Sequence, residues 1–197
     1  ESIAQDSHDR AAGARQEIAF ALQRKDMVST VTSLMESGTI PTRITHNDTK
    51  LNNVMIDDQS GKGVCVIDLD TVMGGSALYD FGDLVRTCTP TSAEDELDLS
   101  RVHMRLDLFE ALARGYLAEA TFLNPTEIEL RAFAGRLITF NIGVRFLTDH
   151  LVGDTYFKIH RPNHNLDRAR VQFKMIEEME AKEKEMQAIV RRYAASC

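Results

Sequence analysis

The sequence predicts a mainly helical α+β domain in which one short β-hairpin interrupts a series of amphipathic helices. Three observations lead there. Apolar residues recur at helical spacing along most of the 197 residues. Two short runs rich in branched apolar residues flank a glycine-containing turn between Val54 and Ile67. A chain of this length with 43% apolar and 27% charged residues suits one globular domain, or one lobe of a larger protein.

The elements follow in order. Ile18, Leu22, Val28, Val31, Leu34 and Met35 repeat at helical intervals, and Gly38 and Pro41 supply the stop, so one long helix is expected from Gln16 to Met35. The texture then changes: Arg43-Ile44-Thr45, a polar loop from His46 to Asn52, Val54-Met55-Ile56, a turn from Asp57 to Gly63, and Val64-Cys65-Val66-Ile67. This reads as a hairpin. Asp80 is expected to cap a helix from Phe81 to Arg86, and another helix spans Leu106 to Phe122. Asn124-Pro125-Thr126-Glu127 has the composition of a capping box, opening a helix to about His150 that is apolar on most sides and therefore central to the core. A last charged helix runs from Leu166 to Tyr193, with Glu178/Lys182 and Glu180/Lys184 pairs on a solvated face.

Composition narrows the function. With 23 basic and 30 acidic residues the formal net charge is −7, and no basic stripe is present to hold nucleic-acid phosphates. No membrane span or signal peptide is visible. Cys65, Cys88 and Cys197 are an odd set without metal-type spacing, which points to a reducing, cytoplasmic setting. Glu1 is not a natural start residue, so an upstream segment is expected.

The chemistry-bearing residues lie between His46 and Arg86. His46, Asp48 and Asn53 form H-x-D-x-x-x-x-N, the catalytic-loop spacing of protein kinases and their small-molecule relatives. The Asn leads into the hairpin, whose second strand delivers Asp68 at its end. Phosphoryl transfer needs a carboxylate to orient the attacking hydroxyl and hard oxygen ligands to hold Mg²⁺ against the nucleotide phosphates. Asp48 suits the first task, and Asn53 and Asp68 suit the second. Lys50 is placed to offset phosphate charge, and His46 to brace the loop. Asp70 either supports the metal shell or caps the next turn. Asp80-Phe81-Gly82 spells a kinase metal motif but lies too far downstream, with no strand before it.

The block H-x-D-x-x-x-x-N, then Ile67-Asp68-Leu69-Asp70, then Tyr79-Asp80 with Arg86, resembles the aminoglycoside phosphotransferase and choline kinase superfamily. Within it, the run His46 to Met55, the run Ile67 to Met73 and the tail segments Tyr156 to His160 and His164 to Arg170 look closest to the N-acetylhexosamine 1-kinase branch, whose relatives are sometimes labelled mucin-desulfating. The resemblance implies the C-terminal lobe of a kinase-like fold, Asp80 as a brace for the catalytic loop, ATP and Mg²⁺ as cofactors, and transfer of the γ-phosphate to the anomeric hydroxyl of an amino sugar. Nothing in the chain matches the family's N-terminal nucleotide-binding lobe, so residues 1–197 are expected to be the catalytic and acceptor lobe, inactive in isolation, with the missing lobe as its partner.

For the acceptor, Arg145 in an apolar helix either contacts the sugar or pairs with Asp149, and Tyr156 stacks on or hydrogen-bonds the sugar. His164 and Arg168 read as packing residues at the start of the last helix. Aminoglycoside, choline and homoserine acceptors, and a non-catalytic kinase-like binding module, remain the alternatives. Cys88-Thr89-Pro90-Thr91-Ser92 carries Ser92 where the sulfatase maturation motif needs arginine, so that likeness is coincidental.

Overall fold

The computed structural model describes residue 6 and residues 8–195; Glu1 and Cys197 lie outside the described residues. The helices are α1 (Arg15–Gln23), α2 (Ser29–Glu36), α3 (Ala77–Cys88), α4 (Leu106–Glu119), α5 (Pro125–Glu129), α6 (Arg131–Leu151), α7 (His164–Ala181) and α8 (Glu183–Ala194). The strands are β1 (Arg43–Thr45), β2 (Val54–Ile56), β3 (Gly63–Val66) and β4 (Met73–Gly75). The mainly helical α+β expectation holds. The strands form two antiparallel pairs rather than one hairpin: β2 with β3, and β1 with β4 outside them. This nesting sets the loop after β1 beside the loop after β3, which bring residues 46–53 and 67–72 together.

The central helix is α6, as its apolar circumference predicts. It contributes to all three hydrophobic clusters: Ala132 packs with Phe81, Phe109 and Met179, Phe140 with Phe173 and Leu166, and Leu137 with Val31 and Leu78. Glycines set how closely its neighbours approach. A Cβ on Gly82 of α3 would lie 2.5 Å from the Ala134 carbonyl oxygen, and one on Gly143 would lie 2.7 Å from the Phe173 ring.

Three expected long helices are broken, each because its two halves pack on different partners. Instead of one helix from Gln16 to Met35, the chain makes α1, a 3₁₀ turn at Lys25–Met27, and α2. Phe20 stacks on Phe173 of α7, with ring centroids 4.6 Å apart, while Val31 joins a cluster with Ile40 and Leu78. A straight helix could not reach both, and Leu22 and Val28 are left exposed. The capping box at Asn124 forms as read, but the helix it opens is short, and α6 begins after Leu130. Glu127 of that box is fully buried and also accepts two hydrogen bonds of 2.7 Å from Arg43, fastening β1 to the helices.

The last helix divides at Lys182 because α7 lies on α6 while α8 packs on α4. At that joint Glu178 accepts from Lys182 at 2.6 Å and Lys174 at 3.2 Å. Glu180 pairs with Arg24 at 2.8 Å instead of with Lys184, so this side of the charged helix is tied to α1 rather than solvated.

Burial opposes ionisation of Glu178, but hydrogen bonds from Lys182 and Lys174 outweigh it and bring its carboxyl down to about 2. Its stabilising contribution is therefore complete above the ordinary glutamate value and lost as pH falls from about 4.5 toward about 2. Urea unfolding should show wild type more stable than Glu178→Gln by about 1–2 kcal/mol at neutral pH after allowance for solvent screening, with the gap closing near pH 2–3. A gap independent of pH would contradict this.

Candidate active site

Two loops and one helix end build the site. The first loop leaves β1 at Thr45 and turns at Asn47, which adopts a left-handed φ of 64°. The second leaves β3 and turns at Asp68, with a φ of 63°. Asn and Asp tolerate this region better than other side chains, yet such residues still need support from their surroundings.

That support comes largely from Asp80. Its carboxylate accepts the backbone N–H of His46 at 2.8 Å and of Asn47 at 2.7 Å, and its backbone carbonyl accepts from Thr49 Oγ1 at 2.7 Å. The expectation that Asp80 caps a helix starting at Phe81 is corrected: α3 starts at Ala77, and Ser76 is its cap, accepting from the Leu78 N–H. Asp80 sits one turn inside, where the positive end of the helix favours a carboxylate. Thr71 Oγ1 donates to the His46 carbonyl at 2.6 Å, and Asn47 Nδ2 to the Thr71 carbonyl at 3.0 Å, so the second loop is bound to the first.

His46 also bridges the loops. Its Nε2 lies 3.1 Å from the Ile67 carbonyl and its Nδ1 faces the Asp48 N–H at 3.3 Å, which together assign the proton to Nε2. Both ring nitrogens are thus engaged in backbone contacts.

Within this frame Asp48 accepts Lys50 Nζ at 2.6 Å and Asn53 Nδ2 at 2.9 Å on its Oδ2. Partial burial opposes ionisation of Asp48, but these two hydrogen bonds prevail and hold its carboxyl below the ordinary range. Lys50 Nζ also lies 3.9 Å from Asp68, and the hydrogen bond to Asp48 raises its pKa. Asn53 is buried and spends its amide N–H groups on Asp48, and no donor among the described residues reaches its Oδ1. The exposed Asp68 and Asp70 carboxylates lie close together, and this proximity raises the Asp68 pKa. Among the described residues no three His, Cys, Asp or Glu side chains gather into a metal site; what the loops do offer is the Asp68–Asp70 carboxylate pair, whose mutual repulsion a hard divalent cation would relieve.

The structure separates the remaining candidates from this cluster. Arg145 is exposed rather than buried, and it does not pair with Asp149. Both Asp149 oxygens are taken by the chain beyond α6, accepting the N–H groups of Thr155, Tyr156 and Phe157 at 2.8–2.9 Å and Asn165 Nδ2 at 2.9 Å. Arg145 instead donates to Tyr156 Oη at 3.2 Å and lies over the Tyr156 and Phe157 rings. A cleft of about 530 Å³ runs from Asn47 to Arg145, with Tyr79 and Asp83 of α3 and Asn141 of α6 also in its lining; Asp48, Lys50, Asn53, Asp68 and Tyr156 do not line it. Asp83 escaped the sequence reading. Its signal was its spacing of three from Asp80, which places both on neighbouring faces of α3.

His164 is buried at the start of α7, accepting the His160 N–H and meeting Asp95 at 2.9 Å. Arg168 packs over the Phe146 ring. Cys88 is the last residue of α3.

Replacing Asp80 by Ala removes the acceptor from both amides, the half-buried one of His46 bearing most of a cost of about 1 kcal/mol while the exposed one of Asn47 turns to water. Hydrogen exchange at these two amides should accelerate while the Ser76-capped end of α3 keeps its protection. Loss of protection in α3 with residues 46 and 47 unchanged would restore the capping role.

Comparison with known proteins matches this arrangement to one family. Its sequence profile, described as the phosphotransferase enzyme family, aligns with residues 2–120 and so includes both loops and α3. Arg145 and Tyr156 lie beyond the matched segment. The chain belongs to the phosphotransferase enzyme family, the group of the aminoglycoside phosphotransferases.

Proposed function

We propose that this chain is the catalytic and acceptor lobe of an ATP-dependent kinase that phosphorylates a hydroxyl of a small sugar, with the anomeric hydroxyl of an N-acetylhexosamine as the favoured acceptor. The observation that carries the reading is Asp48, held ionised by Lys50 and Asn53 in a loop that also borders the cleft through Asn47. An ionised carboxylate so held can orient an attacking hydroxyl and accept its proton as the new O–P bond forms.

The nucleotide with its Mg²⁺ supplies the electrophilic phosphoryl group when bound. Asn53 Oδ1 and the Asp68 carboxylate would hold the metal, with Asp70 supporting Asp68. Lys50, bonded to Asp48 at 2.6 Å and 3.9 Å from Asp68, offsets negative charge on the side where phosphate must arrive. His46 and Asp80 position the loop without touching reactants. Arg145 and Tyr156, stacked together and bordering the far part of the cleft or its adjoining hollow, are assigned to the acceptor.

A second lobe completes the nucleotide site in this reading. Met55, Ile56, Val64, Val66 and Leu69 leave apolar side chains in solvent on β2, β3 and the following turn, each 50–68% exposed. Side chains exposed in this way call for a covering partner, and they adjoin the metal-binding residues. No helix among the described residues is long and apolar enough to cross a membrane.

The reaction is tested with the full-length protein and Mg-ATP against N-acetylglucosamine, N-acetylgalactosamine, choline, homoserine and an aminoglycoside. Turnover on the hexosamines alone is expected. Asp48→Asn should lower kcat about a hundredfold or more with little change in KM for ATP. Equal kcat in variant and wild type would remove Asp48 from the chemistry. Asp68→Ala should abolish Mg²⁺-dependent nucleotide binding, measured by calorimetry; retained binding would exclude Asp68 as a ligand.

A further inference from the structure

Asp83 is buried, and its two oxygens are treated very differently by the fold. Oδ1 receives both Nε and Nη2 of Arg86 at 2.9 Å. Oδ2 is shielded from solvent and has no hydrogen-bond partner among the described residues. A carboxylate oxygen left in this state costs about 1–3 kcal/mol or more, so an orphan of this kind calls for an explanation. The residue lines the cleft that runs from Asn47 of the catalytic loop to Arg145. It is also close enough to the loop for its charge to help raise the Lys50 pKa.

The α3 backbone has little freedom to move this carboxylate elsewhere. Gly82, the preceding residue, presses on the Ala134 carbonyl of α6, where even a methyl group would sit 2.5 Å away. Arg86 is itself half-buried and fixed a second time by Glu94 at 3.1 Å. The backbone of this acid is therefore fixed in the cleft wall, with one oxygen satisfied and the other covered, and a small turn of the carboxylate toward the cleft presents Oδ2 to a donor.

Resting on the phosphotransferase reading, we infer that Asp83 is a specificity-determining residue whose Oδ2 accepts a hydrogen bond from a second hydroxyl, not the reacting one, of a neutral polyhydroxylated acceptor. Charge balance favours a neutral polyol over a cation. The negative charge of Asp83 is already compensated by Arg86, and the same cleft carries the exposed guanidinium of Arg145, which would repel an ammonium group. The other polar groups around it, Thr32, Asn47, Tyr79 and Asn141, are uncharged donors and acceptors suited to hydroxyls. A site built to bond a hydroxyl rejects an analogue that lacks it, because the buried partner is then left unpaired.

The test is a ligand-observed NMR titration of the full-length protein with N-acetylglucosamine, its monodeoxy analogues and choline, with Mg-ATP affinity measured in parallel. One monodeoxy analogue should bind wild type about 10–100-fold more weakly than the parent sugar, the size expected for a hydrogen bond to a charged group. Asp83→Asn should weaken the parent sugar by a similar factor, make no further difference to that analogue and leave Mg-ATP affinity unchanged. The wild-type analogue series stands without the variant, should Asp83→Asn fold poorly. Equal binding of every monodeoxy analogue, absence of sugar binding, or choline bound in preference to the sugar would each overturn the inference. Sugar binding with this pattern but no phosphate transfer would refute the proposed reaction and leave the role of Asp83 intact.

Discussion

The close crossing of α3 over α6 is the constraint on which the site rests. Gly82 against the Ala134 carbonyl and Gly135 against Val85 let the two backbones approach until side chains larger than hydrogen are excluded. Close packing of this kind transmits position rather than absorbing it. Because α6 is held in turn by α7 and by the three clusters it shares, α3 cannot slide. Its first turns then carry Asp80 to the loop after β1 and Asp83 to the cleft.

From that anchor the electrostatics of the site follow. Asp80 holds two successive amides of a loop that turns through a left-handed asparagine, and Thr71 ties in the loop that turns at Asp68. The carboxylates they position are not equivalent. Asp48 has two donors and stays charged, whereas Asp68 leans on Asp70 and holds its proton more tightly. In the reading proposed above, the first acid acts on a hydroxyl and the second pair receives a cation, so one small region would serve both halves of a phosphoryl transfer.

The strands illustrate how composition and burial can part. Val54 to Ile56 and Val64 to Ile67 have the branched apolar content of core strands, and the pairing they predict is present. Most of these side chains are nevertheless exposed. Apolar content drives strand pairing locally, but it cannot say whether the covering surface belongs to the same lobe. The helices show the reverse case. Their faces were legible from periodicity, while the breaks after Gln23, Leu130 and Ala181 were not, since each depends on which distant partner the two halves reach.

By itself the sequence determined the local chemistry: the spacing of His46, Asp48 and Asn53, the strand that ends at Asp68, the capping box at Asn124 and the apolar circumference of the central helix. These are short-range patterns, dictated by backbone geometry and by the needs of the reacting groups. Only the tertiary structure decided that Asp80 braces a loop instead of capping a helix, that Asp149 serves backbone amides and so releases Arg145 to Tyr156, and that Asp83 keeps one oxygen in reserve. Each of these depends on which partner occupies a carboxylate's lone pairs, and those partners lie up to 34 residues away for Asp80. Spacing along the chain encodes what a side chain is able to do; the packing of helices settles which of its options remains open.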